Sequence, residues 1–134
     1  MEEVTRGLLD TSVVIAHTEE DLGAPLPEQA AISVATLAEL HYGVLVTSDP
    51  KMRNHRIQRL GFVEAMFDPL PLDAEVGRAF ATVAHAVKTA GGQPRARVMD
   101  LWIAATALAN GLPLYTRNFE DFKLLKDLVE LREI

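Results

Sequence analysis

A chain of 134 residues, 49% of them hydrophobic, has the length of one domain and enough apolar side chains for one sizeable core. Its formal net charge of −6 argues against a protein that holds nucleic acid by long-range attraction alone, and the absence of cysteine removes disulfides, thiolate metal sites and cysteine nucleophiles. No apolar run approaches the roughly 20 residues that span a bilayer, and the acidic start Met1-Glu2-Glu3 does not read as a secretory signal, so the expected location is the cytoplasm.

Gly7-Leu8-Leu9 reads as a short buried strand with Asp10 at its C-terminal edge. Thr11 and Ser12 are natural N-cap residues for a helix through Ile15 and Ala16. Gly23, Pro25 and Pro27 mark a loop over 21–28. Ala30 to Ser33 reads as a second strand. Val34 to Val46 then reads as helix, with Leu37, Leu40, His41 and Val44 at helical spacing. Asp49-Pro50 suits the start of another helix running to about Met66, because proline is tolerated in a first turn. Two prolines hold 67–72 extended. Asp73 caps an Ala- and Val-rich helix to about Ala90, which Gly91-Gly92-Gln93-Pro94 breaks. Val98 to Asn110 is the next helix, with Gly111 as its C′ residue. Pro113 to Thr116 is a strand. A short helix starts at Asn118 or Asp121 and runs through Lys126, and Val129 to Leu131 is a last strand.

Strands alternating with helices predict an α/β fold: one domain over 1–134, with a central parallel sheet of about four to five strands flanked by helices. Ligands of such sheets bind beyond the C-terminal strand ends, where strand order reverses. Asp10, Asn118 and Asp121 fall at that edge. Glu39 interrupts the apolar face of its helix, and Asp100 precedes Leu101-Trp102-Ile103. Carboxylates beside core-forming residues are expensive to desolvate unless a cation compensates them. Oxygen-only ligands suit Mg²⁺ or Mn²⁺. Asp10, Glu39, Asp100 and Asp121 can hold one or two such ions, the arrangement that hydrolyses phosphodiesters. Ser12, Thr116 and Asn118 are short polar groups placed to orient ligands or water around them. Taken singly, each acid has a plain alternative as a helix cap, a first-turn charge or a solvated residue.

The motifs then resemble a family. Leu8-Leu9-Asp10-Thr11-Ser12-Val13-Val14-Ile15 is similar to the opening of PIN-domain proteins, and 34–44, with Glu39 followed by Gly43, resembles their second motif. Asp100 to Ala107 resembles the third, and Leu114 to Phe122 the fourth. The resemblance covers nearly the whole chain, in order, and the short length matches the VapC-type toxins of type II toxin–antitoxin pairs. It implies a Mg²⁺- or Mn²⁺-dependent endoribonuclease, usually a homodimer, held inactive by a cognate VapB-type antitoxin. Asp10, Glu39 and Asp100 match the three core ligand positions. The family often has an acid where this chain has Asn118, so either Asp121 or Asn118 fills the fourth place.

RNA would be held by local basic residues: Arg53, Arg56 and Arg59 on one helix, Arg95 and Arg97 before Asp100, and Arg117, which either contacts RNA or pairs with a carboxylate. Trp102 and Tyr42 read as core or interface. Two other readings compete. A member that binds without cleaving is disfavoured by the presence of all four motif acids. A phosphohydrolase with Asp10 as covalent nucleophile, resembling the haloacid-dehalogenase group, normally carries a second Asp where this chain has Ser12.

Overall fold

A computed structural model describes residues 4–19 and 25–134; Met1, Glu2 and Glu3, and the part of the expected loop that contains Gly23, lie outside the described residues. Four strands, β1 (Arg6–Leu9), β2 (Gln29–Ala31), β3 (Leu114–Thr116) and β4 (Leu131–Glu133), form one sheet in the order β2-β1-β3-β4. All pairings are parallel, with Gly7 opposite Ala30, Leu8 opposite Leu114 and Tyr115 opposite Arg132. Among the described residues, six α-helices pack around it: α1 (Thr11–Glu19), α2 (Val34–Val46), α3 (Pro50–Met66), α4 (Ala74–Thr89), α5 (Val98–Ala109) and the single turn α6 (Phe119–Phe122). None of the described helices is long and apolar enough to cross a membrane.

The central strand β1 is buried on both faces, whereas the edge strands β2 and β4 are partly exposed. Successive side chains alternate faces, so Leu8 joins a cluster with α4, α5, Phe122 and Leu125, while Leu9 joins Val13, Val14, Ile32, Leu40 and Val63. Both leucines are fully buried. Gly7 allows the close approach that this packing needs: a Cβ there would lie 2.3 Å from Cε1 of Tyr115.

Local signals set most helix ends. Asp49 accepts from the N–H of Lys51 and Asp73 from that of Val76, and Pro50 occupies the first turn of α3. Gly111 takes φ +63° just past α5, where a side chain would be strained. Ser33 caps α2, accepting from the N–H of Ala35. The expected second strand therefore ends at Ala31, and Ser33 makes only an isolated bridge to Leu70. Three further boundaries differ from expectation. Thr11 and Ser12 are the first residues of α1, and Asp10 caps it, accepting from the N–H of Val13 at 3.1 Å. The last strand starts at Leu131, because Val129 is drawn into the core instead. A 3₁₀ turn over Pro94–Arg97, not anticipated, leads directly into α5.

Strands β2 and β3 flank β1 on opposite sides, so the chain leaves β1 in one direction first and returns on the other side later. The C-terminal ends of β1 and β3 border the resulting crevice, the usual ligand position of an open parallel sheet.

Candidate active site

Asp10 follows β1 at this crevice and is only 4% exposed. Both carboxylate oxygens are satisfied. Oδ1 accepts from Ser12 Oγ at 2.5 Å and from the N–H of Val13; Oδ2 accepts from Thr116 Oγ1 at 2.6 Å. The two hydroxyls are themselves fixed, since Ser12 Oγ accepts from the N–H of Arg117 and Thr116 Oγ1 from the N–H of Asn118. Among the described residues, every donor to Asp10 is neutral. They orient a buried charge without cancelling it, which leaves the carboxylate ready for a cation.

Glu39 projects from the middle of α2 beside the first turn of α1. Thr11 Oγ1 donates to its Oε1 at 2.6 Å and also lies 3.1 Å from the hydroxyl of the buried Thr36. Sequence reading missed this role for Thr11, which looked like a helix cap. Glu39 and Thr11 line a cavity of about 380 Å³ with Ile15, Leu40, Arg56 and Arg59.

The other two acids are held differently. Asp100 lies in the first turn of α5 and Asp121 in α6. Nη1 of Arg97 stands between them, hydrogen-bonded to Asp121 Oδ1 and 3.6 Å from Asp100 Oδ2. Asp121 raises the Arg97 pKa further above its usual range. The side chain of Arg97, expected to contact RNA, faces this carboxylate pair. The one available signal was its position three residues before Asp100, one helical turn away. Arg95, on the same 3₁₀ turn, is exposed, as is Arg117. Beside Arg97 a second cavity, of about 330 Å³, is floored by Val87, Leu101, Phe122 and Leu125.

Asp100 reports on the whole group. Burial raises its pKa from 3.8 to about 6, helped by the negative charges of Asp121, Glu39 and Asp10 and opposed by Arg97. The four carboxylates thus share one electrostatic region, reached from four segments of the chain. Among the described residues, however, no three acidic or histidine side chains stand as a ready ligand cluster. They fall into a hydroxyl-held half, Asp10 and Glu39, and an arginine-held half, Asp100 and Asp121. By donor chemistry the set suits a hard divalent cation: all ligands are oxygen, and mutual repulsion already disfavours the charged form of Asp100.

Outside this region, Trp102 stacks on Phe80 with centroids 4.1 Å apart, joining α5 to α4. Tyr42 is 66% exposed and so is no part of the core.

Comparison with known proteins places this geometry in a family setting. The family model described as the PIN domain matches residues 7–128. Ribonuclease VapC5 of Mycobacterium tuberculosis is 39% identical over 121 residues, covering 89% of this chain and 87% of that protein. Ribonuclease VapC4 of the same organism is 34% identical over 127 residues, covering 93% and 95%. Among solved structures, a member of the VapBC family of toxin–antitoxin systems, VapBC-5 from Mycobacterium tuberculosis, superposes with a TM-score of 0.82 at 36% identity, covering 97% of this chain and 98% of that chain.

Proposed function

This chain belongs to the PIN-domain family, and from that premise we propose that it is the ribonuclease toxin of a VapBC-type toxin–antitoxin pair, a Mg²⁺- or Mn²⁺-dependent endoribonuclease. The observation that carries the reading is the buried, hydroxyl-held Asp10 at the sheet's switch point, within electrostatic reach of Asp100 together with Glu39 and Asp121.

Asp10, Glu39 and Asp100 would hold the ion, with Asp121 in preference to Asn118 as the fourth ligand, because Asp121 brings a charge and already shares Arg97 with Asp100. When bound, the ion supplies an activated water and charge relief at a phosphodiester. The chain's own residues do the rest. Ser12 and Thr116 fix the direction of Asp10, and Thr11 fixes Glu39. Arg95 and Arg117, exposed near this mouth, contribute local positive charge toward RNA phosphates, which a chain of net charge −6 does not attract from a distance. The combined negative charge of the acids repels a phosphodiester, and a cation held by them would neutralise it.

The partner reading rests on the α2–α3 pair. It exposes Tyr42, Leu45, Val46, Ile57, Phe62 and Met66, and the cavity lined by Leu40, Gly43 and Arg56 runs from it to Glu39. An amphipathic antitoxin helix fits such a groove. Function as a homodimer in the cytoplasm is part of the same proposal.

The test is cleavage of RNA by the purified chain with and without Mg²⁺, beside Asp10→Asn. We expect cleavage that needs the ion and is lost in the variant. Equal cleavage in excess EDTA, or full activity of Asp10→Asn, would refute the mechanism. Trapping a phosphoaspartate at Asp10 would favour the covalent alternative.

A further inference from the structure

Arg97 is placed where the proposed reaction has two uses for a guanidinium, and its contacts belong to only one of them. It sits on the 3₁₀ turn Pro94–Arg97 immediately before α5, with Nη1 between Asp100 and Asp121. Its side chain is about half exposed, at 49%, and lines the wall of the cavity of about 330 Å³ that opens beside the acids. The chain thus carries its own counter-ion at half of the carboxylate set. Among the described residues, the hydrogen-bond partners of Asp10 and Glu39 are hydroxyls and a backbone N–H, not an arginine.

We propose that Arg97 is a built-in competitor of the divalent ion: it neutralises Asp100 and Asp121, the ion displaces it from their oxygens, and the freed guanidinium then turns to an RNA phosphate beside the site. This rests on the metal-dependent reading above and adds an order of events to it. A guanidinium and a divalent cation want the same carboxylate oxygens, and neither oxygen set can serve both in full. The contact is solvent-accessible on one side, so it is weak enough to exchange. A phosphate is the other planar-fork partner for which arginine is suited, and a side chain released at the mouth needs only rotation about its own bonds to reach one. Before and after the exchange, Asp100 and Asp121 face a cation.

The experiment compares the full chain with Arg97→Gln and Arg97→Lys. Mn²⁺ binding is measured directly by titration, followed by electron paramagnetic resonance of the free ion. Binding of a short single-stranded RNA with a nuclease-resistant phosphorothioate backbone is then measured at fixed, saturating Mn²⁺, with Asp10 intact. The glutamine variant should bind Mn²⁺ roughly two- to fivefold more tightly, the range expected when an exposed ion pair no longer competes, and the same change should weaken RNA. The lysine variant, which keeps the charge, should stay near the parent in Mn²⁺ affinity. Circular dichroism melts confirm that each variant folds. Unchanged or weaker Mn²⁺ binding by Arg97→Gln overturns the competition. Tighter Mn²⁺ with unchanged RNA binding overturns the transfer to phosphate. No Mn²⁺ binding by the parent chain overturns the metal-dependent reading and this inference with it, whereas the first two results leave that reading standing.

Discussion

Replacing Asp100 by asparagine is expected to make the protein more stable and less active at once. Burial, and then the charges of Asp121, Glu39 and Asp10, lift Asp100 from 3.8 to about 6 against the opposing pull of Arg97. An acid whose pKa is higher folded than unfolded favours the fold when protonated. Its contribution is fully present below about pH 3.8 and is lost as pH rises through about 6, so at pH 8 the ionised group works against folding. Such a rise is worth about 3 kcal/mol at the usual 1.4 kcal/mol per tenfold change in proton affinity. The side chain keeps 31% of its surface in solvent, and screening reduces the figure to about 1–2 kcal/mol. Asparagine keeps the shape and removes the titration. In urea denaturation with EDTA present, the variant should match the parent near pH 4 and exceed it by about 1–2 kcal/mol at pH 8. Mg²⁺ should narrow the gap by stabilising the parent more. A difference that does not vary with pH, or a variant less stable at pH 8, would show that repulsion among these acids is not what Asp100 feels.

Thr116→Val removes the hydroxyl that donates to Asp10 Oδ2 and receives the N–H of Asn118. It should destabilise by about 1–3 kcal/mol and lower RNA cleavage at limiting Mg²⁺; activity and denaturation midpoint both equal to the parent's would remove Thr116 from the support of Asp10. Gly7→Ala pushes a methyl group against the ring of Tyr115, with an expected loss of about 1–3 kcal/mol in the same denaturation assay, and an unchanged midpoint would mean that the ring shifts freely. RNA affinity in an Asp10→Asn background should weaken as salt rises, and Arg95→Gln should make that dependence shallower by about one counterion; a flat salt response would show that phosphate contacts do not hold the RNA.

Much of the fold was legible because its signals are local. Leu8 and Leu9 announce a strand buried on two faces, Asp49-Pro50 and Asp73 announce helix starts, and Gly91 and Gly111 announce helix ends with their positive φ. These depend on residues within one or two turns of each other. Boundaries failed where a distant element competed for a residue. Ser33 left the expected second strand to cap α2 and meet Thr106, and Val129 left the expected last strand for the core.

The candidate site divides along the same line. Sequence alone determined which carboxylates stand at apolar edges, because an acid beside core residues is conspicuous wherever it lies: Asp10, Glu39, Asp100 and Asp121 needed no partner to be noticed. Only the tertiary structure decided what each one faces. One of the two hydroxyls that fix Asp10 comes from Thr116, 106 residues away, and the one that fixes Glu39 from Thr11, 28 residues away. Arg97 reads from sequence as one basic residue among several near the third motif, yet it lies against Asp121, an acid brought to it by strand order. Charge and hydrogen bonding act through space over a few ångströms, while the chain fixes only the order of residues, so the identity of the acids was written locally and their partners were set by the parallel sheet that gathers them.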